Sequence, residues 1–420
     1  MKKLLCISRN KRDDFLKVLD EVINSIETGK YDETIEKVIN ENEGKVRGCF
    51  IFDSFSELKE KIEKIKNTTE EKIIQEDIYF SSTELEGKIA FLFPGQGSQK
   101  VGMFSTLLEK FPQMKESIEI ANETLKEKLG KNLSEFIYPQ EVKSEEEKRK
   151  QLEQLTITNI TQPVLGVIEM GLFKIINSFG ILPDMAGGHS LGEYVALSAS
   201  GIIEEKFLYT LLESRGRAII EGGGEEGKMM AIGLPEREVK NLINGYEVYI
   251  SNLNSPSQTI IAGRIDELEK LKDALKGKKI KSKIINVSCA FHSPFMEKAK
   301  TIFDEKLKKV EFKKGKFPVY SNLTGEKYPD NPDEIRNILS NHLIKEVRFI
   351  DEIENMYRDG SRVFIEVGPG NVLTGLVNSI LSGKNFISIT IDKKDEIEGL
   401  LSVLAICFLY NKHTLYKIFS

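Results

Sequence analysis

The sequence predicts an α/β protein in three parts: a small α+β domain over residues 1–86, a larger α/β domain over 87–385 with an inserted unit at about 228–288, and a tail over 386–420. Three observations lead there. Near residue 87 the texture changes from Lys-, Glu-, Ile- and Asn-rich sequence with few glycines to apolar runs punctuated by glycine. The run Ile89–Phe93 then breaks off into Pro-Gly-Gln-Gly-Ser-Gln, as a buried strand does on emerging into a tight loop. Between Met229 and Val287 the order strand, helix, strand, strand, helix, strand is the βαββαβ order of a ferredoxin-like unit.

Taken in chain order, Phe15, Val18, Leu19, Val22 and Ile26 repeat at helical spacing. Val46–Phe52 is a strand-like apolar run, and Leu58, Ile62 and Ile65 mark a second amphipathic helix. The polar stretch Gln75–Gly87 reads as a boundary. Pro163–Phe179 is expected to be a buried helix with Pro163 in its first position, since Val164, Val167, Ile168, Leu172, Ile175 and Phe179 keep a helical period. In the inserted unit the expected strands are Met229–Leu234, Val248–Asn252, Thr259–Gly263 and Ser282–Val287, with helices Pro235–Gly245 and Ile265–Gly277. Val363–Val367 is another apolar strand, closing in Gly-Pro-Gly, and Glu396–Leu409 is the helix of the tail.

Composition excludes several classes. In 420 residues, 60 basic side chains balance 65 acidic ones for a net charge of -5, so no broad positive field is available to hold nucleic acid. No run approaches the roughly 18 apolar residues of a spanning helix, and the N-terminus is too briefly apolar for a signal peptide, so no membrane role and a cytoplasmic location are expected. Cys6, Cys49, Cys289 and Cys407 lie far apart without metal-ligand spacing, which predicts reduced buried thiols and no metal site. Any imidazole chemistry must come from His189, His292, His342 or His413.

The sharpest motif is Gly188-His189-Ser190-Leu191-Gly192, a G-x-S-x-G pattern between a short strand-like segment and a helix. In such a nucleophile elbow, of the α/β-hydrolase-like kind, the serine occupies a strained turn whose flanking positions leave no room for side chains. Its Oγ points outward at a helix N-terminus, where backbone N–H groups can hold an oxyanion. The alternative is an ordinary glycine-rich turn. His292, in Ala290-Phe291-His292-Ser293-Pro294, is the candidate base by elimination, because His189 lies within the elbow and His342 and His413 sit in helical contexts. Arg215 is either a surface arginine or a guanidinium fork for a substrate carboxylate. Two glycine-rich stretches fail as phosphate loops. Position 100 is Lys where G-x-G-x-x-G needs glycine, and Met229 follows Gly227-Lys228 where Ser or Thr should bind Mg²⁺. The first loop instead leaves backbone N–H groups such as that of Gln96 free to face a cleft.

Together these stretches resemble the malonyl-CoA:acyl carrier protein transacylase family and the acyltransferase domains of polyketide synthases. The matching segments, in family order, begin with Phe93-Pro-Gly-Gln-Gly-Ser-Gln99, Gly188-His-Ser-Leu-Gly-Glu193 and Arg215-Gly-Arg217. They continue with Asn254-Ser-Pro-Ser-Gln258, Ala290-Phe-His-Ser-Pro294 and Glu366-Val-Gly-Pro-Gly370. The resemblance implies Ser190 as nucleophile, His292 as general base, Arg215 as carboxylate anchor, and the backbone N–H groups of Gln96 and Leu191 as oxyanion hole, with no cofactor. The family orients its histidine through a backbone carbonyl, commonly of a Gln; the matching position here is His342, a departure. Phe291 matches the malonyl-selective form of its motif, where an extra α-methyl would clash.

The implied reaction is ping-pong malonyl transfer from malonyl-CoA to the phosphopantetheine thiol of an acyl carrier protein. Residues 1–86 resemble the linker between ketosynthase and acyltransferase, and 386–420 resemble the post-acyltransferase linker. That points to a polyketide synthase context, to ketosynthase modules as partners of the N-terminal adaptor, and to a free-standing enzyme acting in trans or an excised piece of a synthase. The alternatives are a malonyl transacylase of fatty-acid synthesis, a proofreading acyl hydrolase acting on carrier protein, and a catalytically idle adaptor.

Overall fold

The computed structural model describes residues 2–75, 77–224, 227–285, 287 and 289–412. His413 and the aromatic finish Tyr416–Phe419 lie outside them. The chain forms two compact units, one of Met1–Lys88 with Lys174–Leu182 and Ile391–Ser420, the other of Ile89–Phe173 with Pro183–Thr390.

In the first unit a four-stranded antiparallel sheet is built from β1 (Lys3–Arg9), β2 (Val46–Phe52), β3 (Lys72–Gln75) and β4 (Ile78–Ser81), in the order β1-β2-β4-β3. Side chains alternate across a strand, so Val46, Phe50 and Phe52 meet the helices Arg12–Glu27 and Phe55–Lys66 in one core. Arg47 and Cys49 face the other way, onto the helix Glu396–Leu409. There Arg47 donates to the Phe408 carbonyl at 3.2 Å, and the Cys49 thiol lies 3.9 Å from the Ala405 carbonyl. None of the four cysteines is in a disulfide, and all are buried. Two expectations are corrected here. The segment expected as a boundary carries β4 and the end of β3, which share the sheet register. The terminal helix is no separate tail, since Ile397 and Gly399–Leu409 are all buried and the sheet covers one side of them.

In the second unit β5 (Lys88–Phe93) and β6 (Met185–Gly188) run parallel. The inserted unit follows as β7 (Gly227–Ile232), β8 (Val248–Ser255), β9 (Gln258–Arg264) and β10 (Ser282–Ile285), antiparallel throughout in the order β10-β7-β9-β8. Its helices Glu236–Leu242 and Ile265–Gly277 pack on one face, where Leu268 and Leu271 meet Met230, Ile232 and Ile261 of the sheet. The other face carries Met229, Ile260 and Ala262, packed with Ala290. Finally β11 (Ser361–Glu366) and β12 (Ile387–Thr390) pair in parallel, completing a sheet in the order β12-β11-β5-β6. The large subdomain is thus α/β-hydrolase-like, with a ferredoxin-like subdomain inserted. The α/β unit runs to Thr390, beyond the expected limit of 385, because β12 is one of its strands.

The helix expected from Pro163 starts at Thr158 and holds Pro163 inside. Thr161 and Gln162 are fully buried in its first turns, where Gly216 of the helix Glu205–Gly222 packs so closely that a Cβ would lie 2.4 Å from the Asn159 Cα. Tertiary packing therefore overrides the preference of proline for the first helical position.

Candidate active site

At the end of β6 the chain turns into the helix Leu191–Ser200 through Ser190, which has φ 56° and ψ -108°. Such a conformation is costly for a non-glycine residue and persists only where the surroundings enforce it. Here the His189 N–H donates to the Phe93 carbonyl at 2.9 Å, and the Ser190 N–H donates to Asn322 Oδ1 at 2.7 Å. The flanking glycines permit the turn. A Cβ on Gly188 would stand 2.2 Å from the Gly192 carbonyl carbon, and one on Gly192 2.0 Å from the Phe93 oxygen. Gly192→Ala is therefore expected to part the helix from the β5 loop. That should destabilise the fold by about 1–3 kcal/mol, roughly 2–10 °C in Tm, with loss of transfer activity; a melt at the wild-type temperature would contradict it.

The structure brings the residues singled out from the sequence together. Ser190 Oγ lies 2.8 Å from His292 Nε2, and His292 Nδ1 lies 2.9 Å from the His342 backbone carbonyl, which fixes the tautomer with Nε2 free to accept the serine proton. The departure at His342 thus keeps the carbonyl contact. Its ring adds another, with Nε2 2.9 Å from Glu193 Oε2. Arg215 is only 2% exposed, which excludes the surface reading. Its guanidinium donates to Ser190 Oγ at 3.2 Å and Gln162 Oε1 at 2.8 Å and lies over the Tyr194 ring, while its Nε has no partner among the described residues. Ser190, His292, Arg215, Gln96, Leu191 and Phe291 line one cavity of about 340 Å³. His189 also lines the cavity, with Nε2 2.8 Å from Oδ1 of Asn254, another of its wall residues.

Burial pushes the His292 imidazole well below its ordinary value of 6.5, with the neighbouring His342 and Arg215 adding to the effect. A base must be neutral to accept a proton, so lowering its pKa keeps it ready across neutral pH. The acid limb of kcat/KM for acyl transfer is expected to fall below pH 6.5. It should move upward when Arg215 is replaced by Met, because the guanidinium charge opposes imidazolium formation. A pH-rate profile with a limb at or above 6.5 in the wild type would contradict this.

Sequence reasoning missed what holds the elbow from below. Asn322 Nδ2 donates to the Gly188 carbonyl at 2.5 Å and to Glu352 Oε2 at 2.7 Å, and its own N–H donates to Glu193 Oε2 at 3.1 Å. Tyr328 donates its hydroxyl to Glu193 Oε1. Burial holds the Glu352 carboxyl well above the usual carboxylate range, and nearby Glu193 adds to that. One signal was available, a glutamate on the apolar stripe of the helix Phe349–Arg358 beside Phe349, Ile353 and Met356.

A model of the acyl transferase domain family matches residues 90–392. The polyketide biosynthesis malonyl CoA-acyl carrier protein transacylase BaeC of Bacillus velezensis is 36% identical over 299 residues, covering 70% of this chain and 96% of that protein. The malonyl CoA-acyl carrier protein transacylase of Clostridium perfringens is a solved structure with 30% identity and a TM-score of 0.69, covering 78% of this chain and all of that one. The acyltransferase domain from the second module of the salinomycin polyketide synthase has 25% identity and a TM-score of 0.76, covering 97% of this chain and 93% of that one. Other relatives are far longer. This chain spans 11% of a polyunsaturated fatty acid synthase protein from Thraustochytrium and 4% of a polyketide synthase from Streptomyces halstedii. No helix among the described residues is long and apolar enough to cross a membrane. With the elbow, the paired histidine and the family match on one stretch of chain, the protein belongs to the acyl transferase domain family.

Proposed function

We propose that this acyltransferase moves a malonyl group from malonyl-CoA to the phosphopantetheine thiol of an acyl carrier protein, and does so by a ping-pong route. The observation that carries the proposal is a buried guanidinium whose hydrogen-bonded partners are both neutral, set 3.2 Å from the Ser190 oxygen. A desolvated cation with no carboxylate hydrogen-bonded to it asks for one, and an acyl group ending in a carboxylate supplies it.

Ser190 loses its proton to His292 as its Oγ attacks the thioester carbon. The developing oxyanion is held by the backbone N–H groups of Gln96 and Leu191. The carbon–sulfur bond breaks, and CoA leaves as the thiol after taking the proton from the imidazolium. In the second half the carrier thiol gives its proton to His292, attacks the serine ester, and releases Ser190 with the proton returned. Arg215 holds the malonyl carboxylate throughout, and the His342 carbonyl orients the base.

Phe291 lines the cavity and packs with the apolar face of the inserted sheet, where it would meet an α-methyl on the acyl group. One methyl is worth about 1–3 kcal/mol, so Phe291→Ser should raise the methylmalonyl-to-malonyl ratio of kcat/KM by roughly 10- to 200-fold. An unchanged ratio would remove Phe291 from the selectivity argument.

A polyketide synthase setting is favoured by the first unit, because likeness over nearly the whole chain is to a synthase acyltransferase domain, whereas the Clostridium transacylase matches 78% of it. Ketosynthase modules would be the partners of that unit. The test is intact-mass measurement after mixing with malonyl-CoA or acetyl-CoA, followed by holo-carrier protein. A malonyl adduct that moves to the carrier supports the proposal. No adduct refutes it, and rapid loss to free malonate without carrier makes the protein a hydrolase.

A further inference from the structure

The edge strand β10 connects the catalytic cavity to a run of positive charge. Ile285 and Val287 line the cavity, and with side chains alternating along the strand, Lys281 and Lys283 project from the same face of the sheet. The pairing extends to Lys281, whose carbonyl accepts from the Gly233 N–H at 2.9 Å, and Lys283 stands opposite Ala231. Both lysines line a second hollow of about 200 Å³, and two of its other wall residues, Ala231 and Gln258, also line the catalytic cavity. The two hollows are therefore neighbours on the inserted sheet and share part of a wall.

Chain leading into this strand reads Lys276-Gly-Lys-Lys-Ile-Lys-Ser-Lys283, five lysines and no acid in eight residues. All five are exposed, and none has a carboxylate partner among the described residues, whereas Lys270, earlier on the same helix, is paired with Glu267 at 2.7 Å. Lysines on an edge strand also discourage edge-to-edge pairing. That accounts for Lys281 and Lys283, and the C-terminal end of the helix Ile265–Gly277 favours Lys276, but neither accounts for Lys278 and Lys279.

We infer that this lysine edge is the surface on which the acyl carrier protein docks through an acidic face. The inference rests on the transfer reaction proposed above. The chain as a whole carries a net charge of -5, so an acidic partner is guided only by a local positive field. Such a field is useful where its far end lies beside the cavity that must receive the partner's phosphopantetheine arm. Five charges spread along a helix end, a turn and a strand edge also cover more surface than one phosphodiester needs, which favours a protein face over CoA alone.

The triple variant K278E/K281E/K283E of the full chain tests this, with the two half-reactions measured separately. Transfer from malonyl-enzyme to a holo-carrier protein of net negative charge should fall in kcat/KM by roughly 10-fold or more, with a flatter dependence on salt. Acylation by malonyl-CoA and discharge to free pantetheine should stay at wild-type rates, and so should the melting temperature. The charge-neutral K278Q/K281Q/K283Q variant should lie between. Unchanged transfer to the carrier overturns the inference. An equal fall in acylation by malonyl-CoA also overturns it and makes the edge a site for the CoA phosphates. A wild-type protein that malonyl-CoA does not acylate overturns the transfer reaction itself, a result seen before any variant is compared.

Discussion

Ser190→Ala is expected to carry no malonyl adduct and to lose transfer by roughly 10⁴- to 10⁶-fold, while melting close to the wild type. The size follows from the nucleophile and base acting as a unit: with Oγ gone, His292 Nε2 loses the proton it is placed 2.8 Å away to accept, and only binding and the oxyanion hole remain. Alanine brings no new atom into the elbow, so the tight packing around Gly188 and Gly192 is undisturbed. His292→Ala should fall by a similar factor, and the double variant should be no worse than either single one, because effects within a catalytic unit are not additive. Single-turnover acylation by malonyl-CoA, read by intact mass, measures all three. A double variant whose loss equals the product of the single losses would mean that His292 acts independently of Ser190, and the base would have to be sought elsewhere.

How far these residues were legible in the sequence depends on distance along the chain. The strand Val46–Phe52 and the helices Ile265–Gly277 and Glu396–Leu409 match the expected limits to the residue, because each is bounded by local turn or charge signals and keeps its own period. The elbow was legible too, since a five-residue motif contains its own geometric demand. What covers the terminal helix was not, because Cys49 and Ala405 are 356 residues apart. The support under the elbow failed for the same reason. Asn322 reaches the Ser190 N–H across 132 residues. Buried carboxyls such as Glu193 and Glu352 are easily passed over because a polar residue is counted as surface; for Glu352 only its place on an apolar helix stripe says otherwise. His342 is the instructive case. Its side chain departs from the family pattern, yet its contribution to His292 runs through a backbone carbonyl that any residue possesses.

Arg215→Met should reverse the acyl preference. In the free enzyme the guanidinium is buried, donates only to Gln162 and Ser190, and leaves Nε without a partner, so the fold bears the cost of a desolvated charge. A malonyl carboxylate offsets that cost with two charge-assisted hydrogen bonds, and losing them is worth about 3–5 kcal/mol, roughly 10²- to 10⁴-fold in kcat/KM for malonyl-CoA. An acetyl group gives the arginine nothing while keeping it from water, so acetyl transfer should rise once an apolar side chain of similar reach stands there. The ratio of malonyl to acetyl kcat/KM is the quantity to measure, and a ratio that stays put would remove the anchor role. Arg215→Lys separates charge from shape: it keeps the cation but loses the planar fork, and should fall between wild type and methionine. Stability supplies an independent reading. A residue kept for substrate at the expense of the fold should, when replaced by methionine, leave the protein at least as stable as before. An arginine kept for packing over Tyr194 should instead lower Tm on replacement, with the acyl preference intact.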